Sequence, residues 1–500
     1  MSFIWHKLPS SAQHVLVRTS ILALRAITPL SILYCSYSFY HFPQGPALQS
    51  LASYAFLETA FYLFVYLPFS IYLQRAARHP EDMSTANREV LFNRCMDTIE
   101  NPDQYLRKWF RNGDLDEIKR ENVKEFLLWA FWNADKPDGV HEEELEKYCD
   151  GVEKKLGRKL APGRGKAKSL RLTLDDVEML NRPLFWYILI GFLDAIVGVR
   201  LLFSGFRFYR VPLRRLPLTF PFRVFSLFAR RRSEAQSISY WYRPHTSKTR
   251  LPVVFIHGMG IGLYPYVDFL GGIARADYGV GVEGQVGIIA LEIMPISARI
   301  TTAKLSRDDL AKEVQAILDS HGWSKFVLVA NSYGTVITSQ LLKSPKMAAR
   351  VGPMLLIDPV VFLLHLPDVA YNVVVRKPTL TNEYVLYYFA AKDMGVAHTL
   401  HRRFFWTENI LWTEDVAGMD VTVSLAGEDI IVNAPAVGKY LARDKNTDWR
   451  NTYLTGSGLE VVWFDHFDHA DVFVQKEALK KLVDVIVQYC QKGQPLIDVP

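Results

Sequence analysis

Ala330-Asn331-Ser332-Tyr333-Gly334 stands directly behind the apolar run Phe326-Val327-Leu328-Val329, and Thr335 to Leu342 follows with a helical pattern. A strand, a sharp turn carrying a serine and a helix are joined with no loop between them. Such a turn strains the backbone and lifts the serine hydroxyl out of the sheet, over the helix N-terminus, which is the geometry of a nucleophile elbow. Small residues on either side let strand and helix approach closely, the part expected of Ala330 and Gly334. The elbow pattern usually begins with glycine, and the alanine here adds one methyl group.

Three further segments fall in the order such chemistry requires. Upstream, Leu251 to Ile256 reads as a buried strand running into His257-Gly258-Met259-Gly260-Ile261-Gly262. A glycine-rich turn after an early strand can aim backbone N–H groups at a nucleophile, where they stabilise the oxyanion of a tetrahedral intermediate. The N–H groups of Met259 and Tyr333 are the expected donors, with Gly258, Gly260 and Gly334 shaping the turns. No Lys-Ser/Thr follows the glycines, so a phosphate loop is a poor match. Downstream, the strand-like Val421 to Leu425 runs through Ala426-Gly427 into Glu428-Asp429. A carboxylate at that position can hold an imidazole in one tautomer. Asp429 is the expected acid, with Glu428 in reserve. Asp358, at the end of Leu355-Leu356-Ile357, is another possible acid, although Pro359 and the apolar run behind it suggest a structural turn. Last, Leu459 to Phe464 ends in Asp465-His466-Phe467-Asp468-His469-Ala470-Asp471, where His469 is the expected base and His466 its rival.

The chain order Ser332, Asp429, His469 is that of the α/β-hydrolase superfamily and not of the other serine-protease folds. From about Tyr240 to Cys490 the sequence resembles that superfamily. The resemblance implies an α/β fold, a mostly parallel sheet with helices on both faces and a cap over the site. It also implies Ser332 as nucleophile, His469 as base and Asp429 as orienting acid, with no metal and no organic cofactor. The strand-like runs alternate with helical ones, as that sheet requires. The interval Val360 to Glu414 is too long for a plain loop. It is rich in Leu, Tyr, Phe and Trp, among them Leu363, Leu364, Phe389, Phe404 and Trp406. That interval is the expected cap, and its residues suit an apolar acyl substrate or packing onto the core.

The hydrolase resemblance covers half of the 500 residues. Before it lie two apolar runs, Ile21 to Phe42 and Leu51 to Leu73, interrupted by Arg25 and Glu58. Each is long enough for a hydrocarbon core of about 30 Å. The short linker between them carries no Lys or Arg, whereas Lys7, Arg18, Arg25, Arg75 and Arg78 flank the pair. A transmembrane hairpin with both ends in the cytosol is expected. The endoplasmic reticulum or a lipid-droplet surface is favoured; the lack of any acid before Glu58 keeps a mitochondrial location open. Leu184 to Phe203 is a third run, but both its flanks are basic, so a re-entrant or interface-lying helix is expected rather than a span. Phe206 to Arg232 alternates apolar residues with arginine, which suits an anionic membrane surface.

The sequence thus divides into an anchor over 1–80, a helical region over 81–180 and a membrane-associated segment over 181–235. An α/β-hydrolase domain over 236–500 follows, with its cap at about 360–414. The role of the helical region is not set by the sequence; Ile118 to Ala134 within it has an amphipathic pattern, and Ala161 to Lys166 reads as a solvated basic linker. Net charge is +6, concentrated in the first half, but no aromatics interleave with the charges at that linker, so nucleic acid is not an expected partner. Cys35, Cys95, Cys149 and Cys490 have no metal-binding spacing and read as free thiols. The expected activity is hydrolysis of a carboxylic ester, most naturally of a lipid, with membrane lipids as surroundings. Acyl transfer by the same residues and a non-catalytic membrane scaffold are the alternatives. The oligomeric state is not set.

Overall fold

The computed structural model describes residues 10–492 except 137, 138, 140, 279–283, 443–448 and 452–454; the flanking Lys7 lies outside the described residues. One nine-stranded sheet organises the second half of the chain. In chain order the strands are β1 Arg207–Arg210, β2 Arg231–Arg232, β3 Ser239–Arg243, β4 Val253–Ile256, β5 Ile288–Glu292, β6 Phe326–Asn331, β7 Val351–Ile357, β8 Val421–Ala426 and β9 Leu459–Phe464. Their spatial order is β2-β1-β3-β5-β4-β6-β7-β8-β9. β3 is antiparallel to both β1 and β5, and every neighbouring pair from β5 across to β9 is parallel. The central strands are buried along their whole length because helices cover both faces. Such strands read as continuous Val/Ile/Leu runs rather than alternating ones.

The sheet corrects the expected domain boundary. β1 and β2 fall in the segment expected at the membrane, yet β1 pairs with β3 through Phe208 opposite Trp241 and Tyr209 opposite Tyr240. The α/β domain therefore begins near residue 206 and not at 236. The alternation of arginine with aromatics came from a strand with one face on the core: Phe208 packs on Trp241 while Arg207 is exposed.

The helical region is also less separate than expected. The helix Arg120–Trp132 buries nine of its 13 residues: its first turns keep a polar face of Arg120, Glu121, Lys124 and Glu125, and from Phe126 on it is enclosed all round. It belongs to the same apolar core as β4, β6 and the cap. Polar ties join the two parts. Trp109 Nε1 donates to the His365 carbonyl at 3.2 Å, Lys108 pairs with Asp368 at 2.7 Å, and Trp406 Nε1 donates to the Ala130 carbonyl at 2.8 Å. The basic linker is not simply solvated either. The Arg120 N–H donates to the Ala161 carbonyl, Gly165 N–H to Asn122 Oδ1, and Arg164 pairs with Glu125.

Among the described residues, three helices are long and apolar enough to cross a membrane: Ser10–Tyr40, Pro46–Leu73 and Leu184–Phe203. The first two form a hairpin. Glu58, the acid that interrupts the second run, is fully buried. It accepts hydrogen bonds from Thr28 Oγ1 (2.6 Å), Tyr54 OH (3.1 Å) and the backbone N–H of Leu184 (2.8 Å). The carboxylate thereby joins both hairpin helices to the start of the third. The outer face, with Leu22, Leu30, Leu33, Phe56, Phe64 and Ile71, is exposed. Leu184–Phe203 itself lies against the α/β domain. Val197 and Leu201 pack with Phe208, and Asp194 pairs with Arg223 (3.1 Å) and Arg299 (3.0 Å). Phe185, Ile188, Phe192, Val199, Leu202 and Phe203 remain on its exposed side.

Candidate active site

Every candidate residue sits at the C-terminal end of a parallel strand. Ser332 follows β6 directly, with φ of +51°, the left-handed region that a non-glycine residue enters at a cost of about 1–3 kcal/mol. The helix Gly334–Leu342 starts two residues later, so its free N–H groups point toward the turn. Gly334 is required by crowding: a Cβ there would lie 2.4 Å from the Ile256 carbonyl oxygen. Gly258 is required for the same reason, since its Cβ would fall 2.9 Å from that of Ser332.

His469 Nε2 lies 2.8 Å from Ser332 Oγ, and His469 Nδ1 lies 2.7 Å from Asp429 Oδ2. The other Asp429 oxygen accepts the N–H groups of Ile431 (2.7 Å) and Val432 (2.8 Å), which fixes the carboxylate plane. The Asp429 side chain is 1% exposed. Glu428 and His466, the reserve acid and rival base, point away from Ser332. They meet each other at 3.3 Å on the surface, where both are largely exposed. Asp358 is fully buried beside the histidine, with φ of +44°, and its Oδ2 accepts the Ala470 N–H at 2.7 Å. It holds the backbone just after His469, and among the described residues its Oδ1 has no partner. Carboxylate and imidazole atoms of Asp358, Asp429 and His469 lie within 4.8 Å of one another. Both His469 ring nitrogens are engaged by Asp429 and Ser332, which leaves neither free for a cation.

A serine after β6, an acid after β8 and a histidine after β9 now stand in one hydrogen-bonded line. This is the α/β-hydrolase fold. No family model and no curated protein sequence matches the chain. Among solved structures it is similar to a membrane phospholipase A described as a bacterial virulence factor, at 12% identity and a TM-score of 0.38 over 62% of this chain and 94% of that one. It is also similar to a serine hydrolase from Cycloclasticus zankles, at 14% identity and a TM-score of 0.35 over 51% and 95%. A carboxylesterase from Bacillus subtilis is similar at 12% identity and a TM-score of 0.34 over 60% and 98%.

Electrostatics in the α/β-hydrolase site follow from burial and the three acids. Burial alone would lower the His469 pKa, but the charge and hydrogen bond of Asp429, with Asp358 and Asp468 behind it, push it up to about 9. Burial pushes the Asp358 carboxyl up to about 7, against the pull of the His469 charge and with help from Asp429. Opposite the imidazole, the glycine turn is held by residues whose part the sequence did not disclose. Tyr266 OH donates to Asn331 Oδ1 (2.8 Å) and accepts the Gly258 N–H (3.1 Å), which ties that turn to the elbow. His257 Nε2 accepts the Ile293 N–H at 3.0 Å, so its Nδ1 carries the proton and donates to the Gly258 carbonyl at 2.7 Å. Burial lowers the His257 pKa, as a neutral ring in that role requires. The only local signals for these residues were Asn331 inside the elbow and His257 at the end of β4. The Gly260 N–H is taken by the Ile296 carbonyl. Among the described residues, the N–H groups of Met259 and Tyr333 have no protein acceptor.

Over the serine lies a cavity of about 560 Å³. Its walls come from the cap (Leu364, Val373, Leu386, Phe389, Phe404, Trp406), from the glycine turn (Met259, Ile261) and from the helical region (Trp109, Trp129, Leu172). Ser10 and Gln13 of the helix Ser10–Tyr40 complete it. Cap residues such as Tyr388, Leu411 and Trp412 instead pack into the interior, so the apolar interval serves both purposes.

Proposed function

We propose that the protein is a membrane-anchored serine hydrolase that cleaves a carboxylic ester, most naturally of a lipid. The observation that carries this reading is the hydrogen-bonded line Asp429–His469–Ser332, at 2.7 and 2.8 Å, opening into an apolar cavity. His469 Nε2 takes the Ser332 proton as Oγ attacks the ester carbonyl, and Asp429 stabilises the imidazolium that forms. The Met259 and Tyr333 N–H groups, unspent on protein acceptors, receive the oxyanion. The tetrahedral intermediate collapses as His469 returns the proton to the leaving alcohol. Water, deprotonated by the same nitrogen, then releases the acid. Each step uses only the ester, water and groups of this chain, so the reading calls for no metal or organic cofactor.

The anchor reading rests on the lipid-sized exposed face of the hairpin and its uncharged linker, which favours a cytosolic α/β-hydrolase domain. The exposed side of Leu184–Phe203, with Phe222, Leu227 and Phe228 and the exposed Arg207, Arg214, Arg230, Arg231 and Arg232, suits contact with an anionic bilayer surface.

The test is labelling of the full-length protein by a fluorophosphonate probe. Wild type should be labelled at Ser332, and Ser332→Ala should lose both labelling and ester hydrolysis without loss of folding. Labelling that persists in the variant refutes the nucleophile; absence of labelling in well-folded wild type refutes the enzyme reading and favours a scaffold.

A further inference from the structure

We propose that the site takes an ester of a long acyl chain whose alcohol half carries no anionic group; the chain enters beside the first turns of the anchor and rests its far end against Trp109 and Trp129. The inference rests on the hydrolase reading of Ser332 and adds the substrate class and the residues that measure it.

The cavity is open at one side and closed at another. Ser10 and Leu380 are exposed where they border it, Leu380 by 57%, whereas Trp109 and Trp129 are each only 4% exposed. Both indole N–H groups are already spent, Trp109 on the His365 carbonyl and Trp129 on Thr173 Oγ1 at 2.9 Å. What the rings offer the cavity is therefore apolar surface, which suits the end of a hydrocarbon chain. The closed wall thus comes from the helical region that precedes the α/β domain. That region, whose role the sequence left open, ends the acyl pocket.

The charge of the lining decides the rest. Among the described residues, no Lys or Arg borders the cavity; the ionisable side chains there, apart from the tyrosines, are Asp468, His469 and Asp471. Asp468 already accepts from Asn382 (2.7 Å), from the Ile430 N–H (3.0 Å) and from the His469 N–H (2.7 Å), and Asp471 accepts the Asp468 N–H (3.0 Å). A phosphate or carboxylate next to the scissile ester would meet two acids and no Lys or Arg, and the His469 ring is already paired with Asp429. Burying such a charge unpaired costs several kcal/mol, roughly two or more decades in affinity. The alcohol half of the substrate therefore carries no anionic group. The open side adjoins the helix that carries the exposed Leu22, Leu30 and Leu33, so an anchor in lipid sets the opening beside the lipid phase.

The experiment uses the full-length protein in mixed micelles. Wild type is offered 1-monoacylglycerol and lysophosphatidate with the same acyl chain; the neutral ester should be preferred in kcat/KM by about a hundredfold. Comparable rates on both overturn the inference that the substrate carries no anionic group. Trp129→Ala and Leu172→Ala are then compared with wild type on p-nitrophenyl esters from butyrate to stearate. The ratio of kcat/KM for stearate over that for a medium-chain ester should rise about tenfold, since the wall recedes. An unchanged ratio in variants still labelled at Ser332 overturns the role of the helical region. Failure of wild type to label at all is a failure of the hydrolase reading instead.

Discussion

Replacing Asp429 by asparagine tests the site at its most determined point. Oδ1 of Asp429 accepts two backbone N–H groups, from Ile431 and Val432, and Oδ2 faces His469 Nδ1 at 2.7 Å. In Asp429→Asn the amide oxygen must take the Oδ1 position, because an NH₂ there would oppose two donors. The NH₂ then faces Nδ1. His469 can accept that bond only with its proton on Nε2, so Nε2 donates toward Ser332 and cannot receive its proton. Shape and packing barely change, yet the tautomer is wrong. Loss of a triad acid by this route costs about 10⁴ in kcat, or roughly 5.4 kcal/mol at about 1.36 kcal/mol per decade. The assay is kcat/KM on a soluble p-nitrophenyl ester, with fluorophosphonate labelling rate as a second readout and thermal melting to show an intact fold. A loss below about tenfold would falsify the assignment. So would an equal loss in Asp358→Asn, since the acid would then lie after β7.

His469→Ala should cost several decades in turnover while His466→Ala stays within about twofold, because His466 meets only Glu428 at the surface; the reverse ranking refutes the choice of base. The pH profile should carry an alkaline-shifted rising limb, since a base acts deprotonated and His469 is raised to about 9. Asp358→Asn removes one of the charges that raise it, so that limb should move to lower pH, and an unmoved limb refutes the coupling. Gly334→Ala places a Cβ against the Ile256 carbonyl oxygen and should lower stability by about 1–3 kcal/mol in chemical or thermal unfolding; a neutral effect refutes the close strand–helix approach. Alkaline carbonate should leave the protein in the membrane pellet, and protease added to vesicles with the cytosolic face outward should digest the α/β-hydrolase domain; a protected domain refutes the orientation.

Some of this was legible in the sequence because it depends on neighbours along the chain. The elbow shows in six or seven consecutive residues, since a strand, a strained turn and a close-packed helix each demand a local residue type. The parallel strands show as unbroken Val/Ile/Leu runs, such as Val253 to Ile256 and Phe326 to Val329, because both of their faces are covered. The two apolar runs near the start show as long enough to span, because a hydrocarbon layer sets a minimum number of residues. From these the α/β fold class follows, and so does the order of serine, acid and histidine.

Other features depended on partners far along the chain, and no local pattern reports those. Glu428 and Asp429 are adjacent acids with equal local claims. Only the turn after β8, through the Ile431 and Val432 N–H groups, aims Asp429 inward and leaves Glu428 at the surface. Arg207 to Arg210 looks like a basic membrane stretch until β3 supplies the edge that makes it a strand. The second half of the helix Arg120–Trp132 has no polar face because the cap, more than two hundred residues later, covers the side that solvent would otherwise take. The sequence by itself determined the local elements and the chemistry they can carry, since periodicity and turn strain act over a few residues. Tertiary structure alone decided which acid faces the imidazole and which helices close the cavity, since burial depends on what the folded chain brings alongside.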